Sequence, residues 1–243
     1  MLISHRHKFI YLKTRKTAGT SVEIYFEPFC IDPADPFEPV HYHKTVVSSW
    51  GVVGHRGMGY EGETWFNHQP AVNIRELTGE AVWNTYFKFC AVRNPFDKVV
   101  SAFWYQLDDA AREDLRTRDF SEIRKSFQEW ASRFEFWTDT EVIAIDGRPV
   151  VDDVIRYERL SEDMESVCLR LNVPWKPELL GRYKNDFRRN PQHFTEYYDE
   201  ASRQRVMKAY AFDFEHFGYE WPGSFGTGAV HQPMGGSDQH CER

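Results

Sequence analysis

The chain has 243 residues, 41% apolar and 16% aromatic, a content that suits one α/β domain with a sizeable core and excludes a disordered polymer. Lys and Arg number 30 against 37 Asp and Glu, so the formal net charge is −7, which argues against the basic surface of a nucleic-acid or glycosaminoglycan binder. No window holds the roughly 18 uninterrupted apolar residues of a membrane span, and Met1–His7 has no apolar signal-peptide core, so no membrane contact and a cytoplasmic location are expected.

In chain order, the patterning predicts a strand over about 8–13 and a helix over about 20–27. Residues 28–68 read as a long irregular region rich in Pro, Gly and His, a length that usually signals function. A helix at about 70–79, a buried strand at 86–92 and a helix from 95 to about 113 follow. Phe120, Ile123, Phe127, Trp130 and Phe134 recur at helical spacing within 119–136. Ile143–Val150 reads as a small hairpin, then come a strand near 151–157, a helix at 161–171 and a last long helix at 199–217. Residues 1–222 are expected to form a single domain and 223–243, rich in Gly, Ser, Gln and His, a flexible tail. Alternating strands and helices predict a parallel sheet covered on both faces. Cys30, Cys90, Cys168 and Cys241 are scattered without metal or redox spacing, so free thiols are expected and no metal is required.

Two strand-to-helix junctions carry chemistry. In the first, Phe9–Leu12 runs into Lys13-Thr14-Arg15-Lys16-Thr17-Ala18-Gly19-Thr20-Ser21. A small-residue loop opening a helix offers unpaired amide N–H groups and the positive end of the helix dipole to an anion. Thr20 and Ser21 add hydroxyls and Lys16 a mobile cation. A Walker loop places its Lys after the last Gly; here Lys16 precedes Gly19, which argues against an ordinary ATPase or GTPase. In the second junction, Arg93-Asn94-Pro95 closes the 86–92 strand and Ser101 lies two helical turns further on. Pro95 suits the first turn, and an Arg with a Ser can grip one anion from two sides.

Lys-Thr-x-Gly-Thr-Ser after a strand resembles the 5′-phosphosulfate loop of the sulfotransferases, and Arg-Asn-Pro with a Ser eight residues after the Arg resembles their 3′-phosphate segment. The likeness extends to Val154–Leu160 and to His193–Asp199 with the Phe214–Tyr219 helix end, so it covers about Lys8 to Trp221 and points to the bacterial and carbohydrate-type branch. Lys98, where many relatives carry Arg, and Ala18, where they often carry Gly, depart from the pattern without breaking it. The resemblance implies a P-loop-like three-layer α/β/α sandwich with a central parallel sheet. It implies 3′-phosphoadenosine-5′-phosphosulfate (PAPS) as donor and PAP as product. Arg15, Lys16, Thr17, Ala18, Gly19, Thr20, Ser21, Arg93, Ser101 and Tyr157 would bind the nucleotide, with Lys184, Arg188 and Arg189 as a further basic group converging on it. Lys13, beside the first loop, and Lys98, beside Arg93, belong to the same basic clusters.

Sulfuryl transfer requires nucleophile and leaving group nearly in line, with positioning and charge stabilisation carrying catalysis. Lys16 is expected at the leaving oxygen. A His suits the base: His68, just before the 70–79 helix, matches the family's His-x-x-Ala stretch, His55 is second, and His41 and His43 share the region. The acceptor is expected to be a small molecule or sugar; the acidic residues Glu61, Glu63, Asp108, Asp109, Glu113 and Asp114 leave a cationic acceptor open. An ATP-dependent small-molecule kinase and a non-catalytic nucleotide-binding protein remain as alternatives.

Overall fold

The computed structural model describes residues 1–222 apart from 36, 37, 39, 41, 42, 58, 182–186, 189 and 190. Expectations for His41, Lys184, Arg189 and the 223–243 tail therefore lie outside the described residues. A six-stranded sheet runs in the order β3-β4-β1-β2-β5-β8, from β1 (Leu2–Ser4), β2 (Phe9–Leu12), β3 (Val46–Ser48), β4 (Gly51–Val53), β5 (Phe87–Val92) and β8 (Asp153–Arg156). The three strands expected from their apolar runs, β2, β5 and β8, pair in parallel, with Phe9 opposite Phe87 and Phe89 opposite Asp153. The other three pair antiparallel, so the sheet is mixed rather than wholly parallel.

These added strands are three residues each, too short to show a period. The β3–β4 hairpin replaces part of the irregular region expected over 28–68. At Gly51 a Cβ would stand 2.0 Å from the Ile3 carbonyl oxygen, so only Gly lets β4 lie this close to β1.

Side-chain alternation divides the core into two layers. Phe9, Tyr11, Phe89 and Ala91 face α1 (Gly19–Phe26) and α8 (Leu160–Arg170), where they meet Val22, Phe26, Met164 and Val167. Ile10, Leu12, Cys90 and Val92 face the opposite way, onto Ala71 and Ile74 of α2 (Ala71–Thr78), Trp83 of α3 (Glu80–Thr85) and Ile143 of α7 (Thr140–Ile143). The helix–sheet–helix layering and the α/β class thus stand as expected. The expected 143–150 hairpin forms from β6 (Ala144–Ile145) and β7 (Arg148–Pro149).

A third apolar cluster gathers α4 (Pro95–Gln106), α6 (Phe120–Arg133) and α9 (Glu200–Ala209) around Phe96, Phe103, Trp104, Phe127 and Tyr197. Asn94 caps α4, its side-chain oxygen accepting the Phe96 N–H at 3.0 Å, with Pro95 in the first turn. The helix expected to 113 ends at Gln106 because Asp108 starts a new one, α5 (Asp109–Thr117), accepting the Ala111 N–H at 2.8 Å. The helix expected over 199–217 likewise divides into α9 and α10 (Ala211–Phe217) at Tyr210, whose buried hydroxyl donates to the Trp137 carbonyl at 2.9 Å. Among the described residues, no helix is long and apolar enough to cross a membrane.

Candidate active site

The parallel strands β2, β5 and β8 end side by side at Leu12, Val92 and Arg156, and the segments that follow bring Lys16, Arg93 and Tyr157 to one edge of the sheet. Ligands of open α/β sheets bind beyond this carboxyl edge.

The β2–α1 loop is held from below. The Thr14 hydroxyl donates to the Ala91 carbonyl on β5 and lies 2.8 Å from the Thr17 hydroxyl, so Thr17 turns its side chain inward. Ala18 adopts the left-handed conformation, φ 62°, and its carbonyl accepts Ser21 N–H at 2.9 Å and Val22 N–H at 3.2 Å. The N–H groups of Ala18, Gly19 and Thr20 precede these bonds at the helix N-terminus, the position at which amides lack intrahelical partners and can serve an anion. Gly19 keeps the loop tight: a Cβ there would stand 3.0 Å from the Thr14 carbonyl oxygen and 3.2 Å from Lys13 Cγ. Lys16, also at positive φ, lays its ammonium 4.0 Å from the Tyr105 ring centre and 5.7 Å from that of Phe187.

Arg93 is 9% exposed and reaches three groups. Its Nε donates to Asp97 Oδ2 at 2.8 Å, its Nη1 donates to the Lys16 carbonyl at 3.1 Å, and its guanidinium stacks 3.9 Å from the Tyr157 ring centre. Asp97 Oδ1 in turn accepts Arg188 Nη1 at 2.7 Å. One carboxylate therefore aligns two guanidiniums. Asp97, Ser101 and Tyr105 follow at four-residue spacing, which puts them on one face of α4, arginines at one end and Lys16 at the other. This donor set fits a ligand with two separated anionic groups.

His68 reaches the same loop from the other side. Its Nδ1 lies 2.9 Å from the Lys13 carbonyl, an acceptor, so Nδ1 carries the proton and Nε2 keeps its lone pair. Burial of the ring, with Lys13 nearby, holds its pKa down to about 3, so the ring is neutral near pH 7. His55 stands at the start of the segment that leads to His68. Its Nδ1 lies 3.6 Å from Glu63, and its backbone pairs with Trp65 and Asn67, bracing the segment that delivers His68.

Two basic residues expected at the anion are instead structural. Lys13 donates to Glu23 of α1, which is wholly buried and also accepts Arg56 Nη1 at 3.1 Å and the Met1 nitrogen at 2.8 Å. Lys98 donates to Asp139 at 2.6 Å beneath the loop. The acidic run after α4 is likewise occupied: Asp108 caps α5, and Asp109, Glu113 and Asp114 pair with Arg112, Arg116 and Arg118.

Sequence reasoning passed over Asp97, Tyr105 and Asp139. Asp97 carried a signal, an opposite charge four residues from Arg93. Tyr105 continues the Asp97–Ser101 spacing by one more turn. Asp139, 124 residues from the Arg15 it touches, carried none.

Comparison with known proteins agrees with this geometry. A family model described as the sulfotransferase family matches residues 1–220. An uncharacterized protein of Archaeoglobus fulgidus is 30% identical over 105 residues, 43% of this chain and 83% of its own length. No solved structure gives a significant match.

Proposed function

The chain belongs to the sulfotransferase family, whose chemistry is the transfer of a sulfuryl group, and from that premise we propose that it takes the group from PAPS and delivers it to a hydroxyl or amine of a small molecule or sugar. The observation that supports this reading is the shared Asp97 carboxylate, which holds Arg93 and Arg188 side by side while Lys16 stands two turns further along α4. Arg93, Arg188 and Ser101 would hold the 3′-phosphate. The amides of Ala18, Gly19 and Thr20, with the hydroxyls of Thr20 and Ser21, would hold the 5′-phosphate. The bound donor supplies an activated sulfuryl group on a phosphate leaving group. Lys16 leaves the Tyr105 face to neutralise charge on the leaving oxygen. His68 Nε2 takes the proton from the acceptor once the donor's negative charge sits beside the ring and raises its basicity from the low value of the empty site, and its Nδ1–H bond to the Lys13 carbonyl keeps the ring in the tautomer that can do so.

Calorimetric titration tests the donor. PAP is expected to bind at least tenfold tighter than ADP, a difference of about 1.4 kcal/mol. Equal or tighter binding of ATP with magnesium would replace the reading with a kinase. His68→Ala is expected to leave PAP affinity unchanged and to lower turnover.

A further inference from the structure

Asp139 is 1% exposed and sits where three segments meet. Its Oδ2 accepts Lys98 Nζ of α4 at 2.6 Å and the Arg15 backbone N–H at 3.0 Å; its Oδ1 accepts Arg15 Nη1 at 3.0 Å. A carboxylate needed only to neutralise buried Lys98 has no reason to engage a loop residue twice, by backbone and side chain. The Arg15 side chain is 35% exposed, and among the described residues its Nε and Nη2 have no hydrogen-bond partner. One edge of the guanidinium is therefore fixed, and the rest is open beside Lys16, whose backbone is held at φ 61°.

We propose that Asp139 is a positioning residue for donor binding: it grips Arg15 by one edge so that the remaining guanidinium donors face the anion seated in the β2–α1 loop. The inference rests on the reading of that loop as the donor site. A guanidinium aligned in advance gives up little side-chain freedom on binding, so more of its interaction appears as affinity. Lys98 keeps the carboxylate charged, and the pair replaces solvent beneath the loop. His68, Tyr210, Asp213, Tyr11 and Cys90 are further charged and titratable groups around it.

The test is a double-mutant cycle in the full-length protein with PAP as the probe, read by calorimetry, together with the Arg15 Nε–Hε NMR resonance assigned by its loss in Arg15→Gln. Asp139→Asn and Arg15→Gln are each expected to weaken PAP binding about tenfold, the double variant no more than either single one, and Asp139→Asn to broaden the Arg15 resonance. A purely structural Asp139 would instead give additive losses. Because Asp139→Asn leaves Lys98 facing an amide, the comparison is repeated in a Lys98→Met background, which removes the stranded charge. An unchanged Arg15 resonance with unchanged PAP affinity, or additive losses, overturns the proposal. Wild-type protein that fails to bind PAP overturns the donor assignment instead, while the Arg15 resonance, which needs no nucleotide, still decides whether Asp139 orients that side chain.

Discussion

If Arg93 holds the 3′-phosphate as proposed, replacing it by Ala should separate recognition of that phosphate from recognition of the rest of the nucleotide. Arg93 is fixed before any ligand arrives, by Asp97 at 2.8 Å, by the Lys16 carbonyl at 3.1 Å and by the Tyr157 ring at 3.9 Å. Little rotamer freedom is then left to lose on binding. A charge-assisted hydrogen bond is worth about 1.5–3 kcal/mol, so Arg93→Ala should weaken PAP binding by about 10- to 150-fold. Asp97 retains Arg188 at 2.7 Å, so the variant leaves no unpaired carboxylate and should fold. ADP lacks the 3′-phosphate, and its affinity should change by less than about threefold. The assay is paired calorimetric titration of both proteins with both nucleotides. Equal losses for PAP and ADP would refute the reasoning, since Arg93 would then hold the loop through Lys16 rather than contact the phosphate.

Two further outcomes follow from buried groups and a third from a left-handed loop residue. Glu23→Gln leaves Lys13 without its buried counter-ion and should cost about 3–5 kcal/mol in urea denaturation; because its neighbouring cations hold the Glu23 carboxyl well below the usual carboxylate range, its contribution is present above about pH 4 and lost as pH falls further, and the Gln variant should lack that loss. Burial pushes the Asp213 carboxyl up to about 6, so the folded state binds the extra proton between about pH 4 and 6; stability should fall as pH rises through that window by about 3 kcal/mol, and Asp213→Asn should remove that contribution in urea midpoints compared at about pH 4 and 7. Ala18→Gly exchanges a left-handed penalty of about 1 kcal/mol for a similar loss of chain entropy, so the melting temperature should stay level or rise slightly; a fall would mean the Ala18 methyl packs usefully.

What could be read from the sequence was whatever local pattern determines. The apolar runs Phe9–Leu12 and Phe87–Val92 gave the parallel strands, and the residues following them gave Lys16 and Arg93. The three-residue strands β1, β3 and β4 exist only through their partners, so no window of sequence announces them. The divided helices show the same limit: the helix expected to 113 ran straight through the Asp108 cap, and the break at Tyr210 comes with a distant anchor, the Trp137 carbonyl. Within the site, charge alone could not separate Lys16 from Lys13 or Lys98. The difference lies in Glu23 and Asp139, which bury the latter two and are brought near only by the fold.

The even four-residue spacing of Asp97, Ser101 and Tyr105 makes α4 a ruler. Eight residues at 1.5 Å each span about 12 Å of helix axis, with guanidiniums at one mark and an ammonium at the other. A nucleotide whose negative charges are all strung along its 5′ end would meet only one mark, however many phosphates it carries. On the proposed reading, selection would fall on the distance between charges rather than on their number, and so would need no excess of positive charge in a protein whose net charge is −7.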